Sequence, residues 1–254
     1  MNEIVFACLV ARGRLENRMI FLAESLRRFG GRLAEAPLWG LCPAADELAG
    51  PTRDRLDRLE VRCIPFELGP DEAAFPFAAK VVAAAASEAA ATGSARRLVW
   101  LDTGALVLGE PACLVLAEDH RLGYRPVDHR LIGRPWGQSP SPAWRIVYDR
   151  CGVPLERLFP MQTTAELETI HPYFNAGLLV VRPEQGLLRT WWATFREEYR
   201  SPAWQNLYRQ DRRIAIFVHQ MILTGVLSSR LEPEVMVELP ATVSYPLHLH
   251  QRVA

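Results

Sequence analysis

An α/β fold built on a mostly parallel mixed sheet flanked by helices, with an elaborated C-terminal half, is the architecture this chain predicts. Three observations predict it. Strand-like and helix-like segments alternate through the first hundred residues, the strand-like segments are almost continuously apolar, and one of them ends on a carboxylate. Continuous apolar strands belong to sheets covered on both faces, and alternation with helices makes the neighbouring strands parallel.

The elements follow in order. Ile4-Val5-Phe6-Ala7-Cys8-Leu9-Val10 is an unbroken apolar run and reads as the first strand. Leu15, Met19, Leu22, Leu26 and Phe29 then recur at spacings of three and four until Gly30-Gly31, the pattern of an amphipathic helix with a glycine stop. A short second strand over 37–42 ends at Pro43, a charged helix follows over 46–59, and a third strand over 61–66. An alanine-rich helix over 77–91 is closed by Thr92-Gly93-Ser94 and feeds a buried strand over 98–102.

The second half is less regular. Gly133, Pro135, Trp136, Gly137, Pro140 and Pro142 make 131–142 a long loop, and loops of that length in compact domains are usually lids or binding loops. Helices are expected over 143–151, 183–199 and 214–227, with a strand over 173–181. No internal repeat and no low-complexity linker interrupts the chain, so 1–254 is expected to form a single domain.

Composition narrows the function. Hydrophobic residues at 49% and charged residues at 23% exclude a disordered or collagen-like chain. The 29 basic and 29 acidic residues cancel, leaving no excess to release counterions from a phosphate backbone, so nucleic acid is not the expected partner. Lys80 is the only lysine, an arginine bias that a GC-rich genome explains. Five scattered cysteines (Cys8, Cys42, Cys63, Cys113, Cys151), never in a Cys-x-x-Cys pair, read as free buried thiols in a reducing compartment. The apolar stretches at 4–11 and 81–91 are too short for a leader or a membrane span, so a soluble, cytoplasmic chain is expected.

Several chemistries are excluded by motif. The first strand-to-helix turn reads Ala11-Arg12-Gly13-Arg14, without the closely spaced glycines of a dinucleotide fingerprint. Neither a P-loop, a Gly-x-Ser-x-Gly elbow nor a His-Glu-x-x-His helix is present.

Four constellations remain. Val99-Trp100-Leu101-Asp102-Thr103-Gly104 delivers a carboxylate to a strand's carboxyl end, where parallel sheets place their ligands, although Asp-Thr-Gly alone also suits a turn or a helix cap. Phe174-Asn175-Ala176-Gly177 opens an apolar strand with an amide and two small residues. That suits hydroxyl recognition and equally a structural bulge. His248 and His250, if extended, share one face and form half of a metal site, or else a solvated tail. His219-Gln220 lies within an apolar helix, where a satisfied core histidine is the plainer reading, while His120 and His129 carry no spacing signal.

In this order the pieces resemble the GT-A class of nucleotide-sugar-dependent glycosyltransferases, the nucleotide-diphospho-sugar transferase group, over nearly the whole chain. The matching features are Lys80 before an apolar strand ending at Asp102-Thr103-Gly104, the Phe174-Asn175-Ala176-Gly177 strand, His219-Gln220, Leu239-Pro240 and the late His248 or His250. The resemblance implies a Rossmann-like GT-A fold, with 1–110 the nucleotide-binding half and 111–254 the acceptor and donor-sugar half. It implies a nucleotide-diphosphate sugar as donor and an acceptor of unknown identity. Lys80, Asp102, Thr103, Asn175, Ala176 and Gly177 would bind the donor, and Asp102, His219 and Gln220 would carry catalysis. It also implies a divalent manganese or magnesium ion on Asp102, His248 and His250, offsetting charge on the leaving diphosphate. The loop 134–142 is expected to be mobile without ligand and to close over the donor.

Two departures from the family pattern stand out: Gly104 replaces the second aspartate of Asp-x-Asp, and His219 replaces an acidic residue before Gln220. They keep open a degenerate module that binds nucleotide or sugar without turnover, or serves as an interaction subunit. A nucleotidyltransferase of the same superfold is the third reading, without its usual glycine-rich signature near the first strand.

Overall fold

A computed structural model describes residues 1–44 and 48–247. The chain groups into two compact units, 1–117 with 177–189, and 118–176 with the described residues from Thr190 onward.

In the first unit, β1 (Asn2–Leu9), β2 (Leu38–Pro43), β3 (Val61–Phe66) and β4 (Ala95–Leu101) are parallel, ordered β3-β2-β1-β4. β8 (Phe174–Val181) adds antiparallel to β4 with Leu178 opposite Leu101. Its last five residues belong to this unit and its first three to the other. Continued through β8, the hydrogen-bonded order is β3-β2-β1-β4-β8-β5-β9, the mostly parallel mixed sheet that the alternation predicts.

The apolar runs end up where their continuity requires. Val5, Ala7 and Cys8 of β1 and Val99 and Trp100 of β4 are wholly buried. Helix α1 (Arg14–Phe29) buries Met19, Leu22 and Leu26, the stripe read from their spacing. Its start is set by Gly13, whose φ of 95° is a conformation that favours glycine. Glu16 closes that end, accepting from Gly13 N at 2.9 Å and Ala49 N at 2.7 Å. Helix α2 (Gly50–Arg58) is shorter than the 46–59 expected, whose beginning lies outside the described residues. After α3 (Pro70–Ala74), α4 (Ala78–Ala91) lies against β1, β2 and β4, and its small side chains Ala83, Ala84 and Ala91 are fully buried there.

The helix expected over 183–199 is two pieces. A single 3-10 turn, Pro183–Gln185, is followed by α6 (Leu187–Glu198), and Gly186 at φ 66° breaks the helical path between them. Glu88 of α4, entirely buried, accepts from Leu188 N at 3.1 Å and Arg189 N at 2.9 Å, two of the amide groups that α6's first turn leaves unbonded.

The second unit contains β5 (Leu122–Pro126) paired in parallel with β9 (Met236–Glu238), and a hairpin of β6 (Met161–Gln162) and β7 (Thr169–Ile170). Its helices are α5 (Pro142–Cys151), α7 (Pro202–Gln210), α8 (Arg212–Arg230) and α6 from Thr190 on. α5 and α8 approach closely at Gly225, where a Cβ would fall 2.6 Å from both Val147 Cγ1 and Cys151 Sγ. β5, β9, the hairpin and α7 are absent from the sequence expectations. β5 hides because Arg125 interrupts its apolar pattern; the buried guanidinium is satisfied by Glu238 Oε1 at 3.0 Å, Leu239 O at 2.7 Å and Thr164 Oγ1 at 2.8 Å.

No helix among the described residues is long and apolar enough to cross a membrane. All five cysteines are free, but only Cys8 and Cys42 are buried; Cys63 is exposed and Cys113 and Cys151 lie between, correcting the expectation of uniformly buried thiols.

Candidate active site

The sheet order places the candidate site. From β1 the chain steps outward to β2 and β3 on one side, and β4 adds on β1's other side. Connections diverge there, and in open α/β sheets ligands usually bind beyond the strands' carboxyl ends at such a point. Asp102 follows β4 directly, and Thr103 Oγ1 donates to Leu9 O at the end of β1.

Asp102 is anchored by its backbone and by its side chain. Its N–H donates to Gly177 O of β8 at 2.8 Å, and its carbonyl accepts from Ala105 N at 3.0 Å, which makes 102–105 a turn. The carboxylate itself faces Lys80: Nζ lies 2.7 Å from Oδ1, with side-chain exposures of 9% for Lys80 and 56% for Asp102. Lys80 reaches it from the first turn of α4, over the ring of Phe77 at 5.8 Å. The turn that Asp-Thr-Gly suggests is present, and the carboxylate is additionally held by the chain's only lysine.

Beside this pair lies a crevice of about 320 Å³ lined by Arg18 and Phe21 of α1 and by Thr103, Gly104, Ala105 and Leu106. Val107 N donates to Ser25 Oγ at 3.0 Å, tying the 103–107 segment to α1. Phe21 and Leu106 are exposed along this wall, giving it apolar surface beside a guanidinium. Gly104 contributes backbone only, where a second carboxylate would stand.

In the second unit, α8 holds the opening of β8. Gln220 Oε1 accepts from Ala176 N at 3.1 Å, and Thr224 Oγ1 accepts from Phe174 N at 3.2 Å while donating to Gln220 O at 3.0 Å. The backbone on both sides of Asn175 is therefore fixed by one face of α8. His219 turns the other way. It is 3% exposed, its Nδ1 lies 2.9 Å from Ile216 O, and its ring stacks on Trp191 with centroids 6.3 Å apart. Its carbonyl accepts from Trp191 Nε1 at 2.7 Å.

A second crevice of about 280 Å³ in this unit is lined by Ile132, Gly133, Arg134, Ser141, Asp211 and Arg213 among others. Its bordering loop is pinned to the hairpin, with Trp136 N donating to Thr169 O at 3.0 Å and His171 N to Arg134 O at 2.9 Å.

The structure thus gathers Lys80, Asp102, Thr103 and Gly177 in the first unit, and Asn175, Ala176 and Gln220 in the second. His219 is set within the helix packing, and His248 and His250 lie outside the described residues. Arg18 is the crevice residue that sequence reasoning missed: on the polar face of α1 nothing distinguishes it from other exposed arginines until the sheet order is known.

The family model of the Rhodobacterales glycosyltransferase domain matches residues 6–229. Among solved structures, the chain is similar to the galactosyltransferase LgtC in complex with donor and acceptor sugar analogs. The TM-score is 0.55 at 16% identity, covering 99% of this chain and 78% of that one. It is also similar to apo mouse xyloside xylosyltransferase 1, with a TM-score of 0.50 at 12% identity and coverage of 100% and 92%. Core-mannan synthase A from Aspergillus fumigatus in its Mn/GDP form gives 0.50 at 9% identity, covering 94% and 73%. At such identities the likeness is one of fold. No curated protein matches the chain.

Proposed function

Because this chain belongs to the Rhodobacterales glycosyltransferase domain family and has the GT-A fold, we propose that it transfers a sugar from a nucleotide-diphosphate donor to an acceptor. One observation carries the reading: a half-exposed carboxylate, Asp102, stands at the carboxyl end of β4 where the sheet order diverges, held by a nearly buried lysine. In the transfer, the bond from the anomeric carbon to the phosphate oxygen breaks and one to the acceptor oxygen forms. The nucleoside diphosphate leaves with the bonding electrons, and the acceptor hydroxyl gives up its proton to the leaving diphosphate or to solvent.

Each residue has a role in this reading. Lys80 supplies positive charge toward the diphosphate and orients Asp102, whose outer oxygen accepts from a donor hydroxyl. Thr103 and Gly177 shape the backbone around it. Asn175 offers an amide to donor-sugar hydroxyls, with Gln220 as a positioning residue that fixes Ala176 beside it. His219, enclosed beside Trp191, serves packing rather than proton transfer. The donor-analog complex named for LgtC and the Mn/GDP form named for core-mannan synthase A support the choice of substrate class.

A divalent ion is also part of what the resemblance implies; of the ligands it names, His248 and His250 lie outside the described residues, and the described ones do not make a site for it by themselves. Asp102's near oxygen is taken by Lys80, Gly104 has no side-chain donor atom, and among the described residues no group of three His, Cys, Asp or Glu side chains converges on a cation site.

The test is isothermal titration with uridine, guanosine, adenosine, cytidine and thymidine diphosphates, followed by release of nucleotide from the matching sugar donors. Binding with release that vanishes in Asp102→Ala is expected. Binding without release would instead identify the non-catalytic module, and binding of none would end the donor reading.

A further inference from the structure

We propose that Arg18 does at this site what a divalent ion does elsewhere: its guanidinium binds the donor's diphosphate in the gap that Gly104 leaves open. The inference rests on the donor reading above and goes beyond it, because it names the group that neutralises the leaving phosphates.

The geometry begins at Gly104. A Cβ built there meets a single atom within 4 Å, Arg18 Nη1 at 3.8 Å. The place of the missing second carboxylate is thus fronted by a guanidinium. Both residues line the crevice beside Asp102, with Thr103 between them and the carboxyl end of β1.

Arg18 is open to a ligand. It is exposed and has no hydrogen-bond or ion-pair partner among the described residues, although neighbouring arginines such as Arg27 and Arg55 are engaged. A guanidinium presents five N–H donors in a planar fork that matches two phosphate oxygens at once. Leaving that fork unpaired in the crevice beside Asp102 is what an anion site requires.

Charge points the same way. Two carboxylates at positions 102 and 104 would repel a diphosphate and need a dication to bridge them. Here the single carboxylate is matched by Lys80, and Arg18 leaves the cluster one positive charge in excess. The cluster attracts a diphosphate directly. Phe21, one turn along α1 on the same wall, offers an exposed aromatic face for the nucleoside end.

The experiment is titration in EDTA of the tightest-binding of the five nucleoside diphosphates and of its parent nucleoside, using wild type, Arg18→Ala and Arg18→Lys. Wild type is expected to hold the diphosphate in EDTA. Arg18→Ala should weaken it about tenfold, the scale of one charge-assisted hydrogen-bonded contact, with the nucleoside unchanged and partial recovery in Arg18→Lys. Loss of diphosphate binding by wild type in EDTA, an unchanged affinity in Arg18→Ala, or an equal loss for the nucleoside would each overturn the assignment while leaving the donor reading intact. Failure of wild type to bind any of the five diphosphates would remove that reading, and this one with it.

Discussion

Lys80 and Asp102 form an unequal ion pair: the ammonium lies 2.7 Å from the carboxylate, yet the lysine side chain is 9% exposed and the aspartate 56%. The two partners therefore have different alternatives. An unpaired Asp102 still reaches water, whereas an unpaired Lys80 ammonium is left with little else to solvate it.

Asp102→Asn is accordingly expected to destabilise the chain by about 1–3 kcal/mol, and Lys80→Met by less than about 1 kcal/mol, because exposed charges are largely satisfied by solvent. Urea unfolding of the two variants measures the order, and a larger loss in Lys80→Met would show that the pair is not limited by burial of the lysine. Lys80→Met should nevertheless weaken nucleoside diphosphates, which separates the binding role from the stability role.

Gly104→Asp rebuilds a second carboxylate where only Arg18 Nη1 lies within reach. At 3.8 Å the added Cβ is in ordinary contact, so the variant should fold normally. In EDTA the new carboxylate pairs with Arg18 and weakens the diphosphate about tenfold. Manganese restores binding in this variant and changes little in wild type. Titration with and without the ion reads both, and an affinity independent of Gly104→Asp would count against the Arg18 site.

Glu88 supplies a pH dependence. Burial holds its carboxyl pKa above the ordinary glutamate value, against the opposing effect of its bonds from Arg189 and Leu188. The folded chain therefore takes up this proton at a higher pH than the unfolded chain. The stabilisation from proton uptake is complete below the ordinary glutamate pKa and is lost as pH rises through the raised one. Wild type should gain stability relative to Glu88→Gln on acidification through that window. Thermal unfolding of both proteins across it provides the check, with a constant difference being the contrary result.

Cys63 is exposed, and the neighbouring buried Cys42 thiol lowers its pKa to about 7. Its thiolate should be the first of the five to react with iodoacetamide at neutral pH, and Cys42→Ala should slow it several-fold. Mass spectrometry of the alkylated peptides resolves the order; earlier modification of Cys113 or Cys151 would contradict it.

Much of the fold was legible because burial on both faces leaves a mark in sequence. β1, β4 and β8 each contain a continuous apolar run, and α1 repeats its buried residues every three or four positions, so existence and approximate bounds follow. β5 was not legible, since a buried, hydrogen-bonded Arg125 looks like an exposed residue. The break at Gly186 was equally hidden, because the residues on both sides suit a helix and only φ separates the two pieces.

The candidate site divides along the same line. Periodicity and composition by themselves determined that Asp102 ends a strand, that Lys80 precedes it on a helix, that Asn175 opens another strand and that Gly104 carries no side chain. Tertiary structure decided that Lys80 spends its charge on Asp102, that Gln220 grips the backbone beside Asn175, that His219 faces Trp191, and that Arg18 faces the gap at Gly104. The reason is physical: periodicity reports which side of an element is buried. Which strands become neighbours depends on long-range packing between segments some ninety residues apart, such as β1 and β4, and that pairing brought the arginine to the crevice.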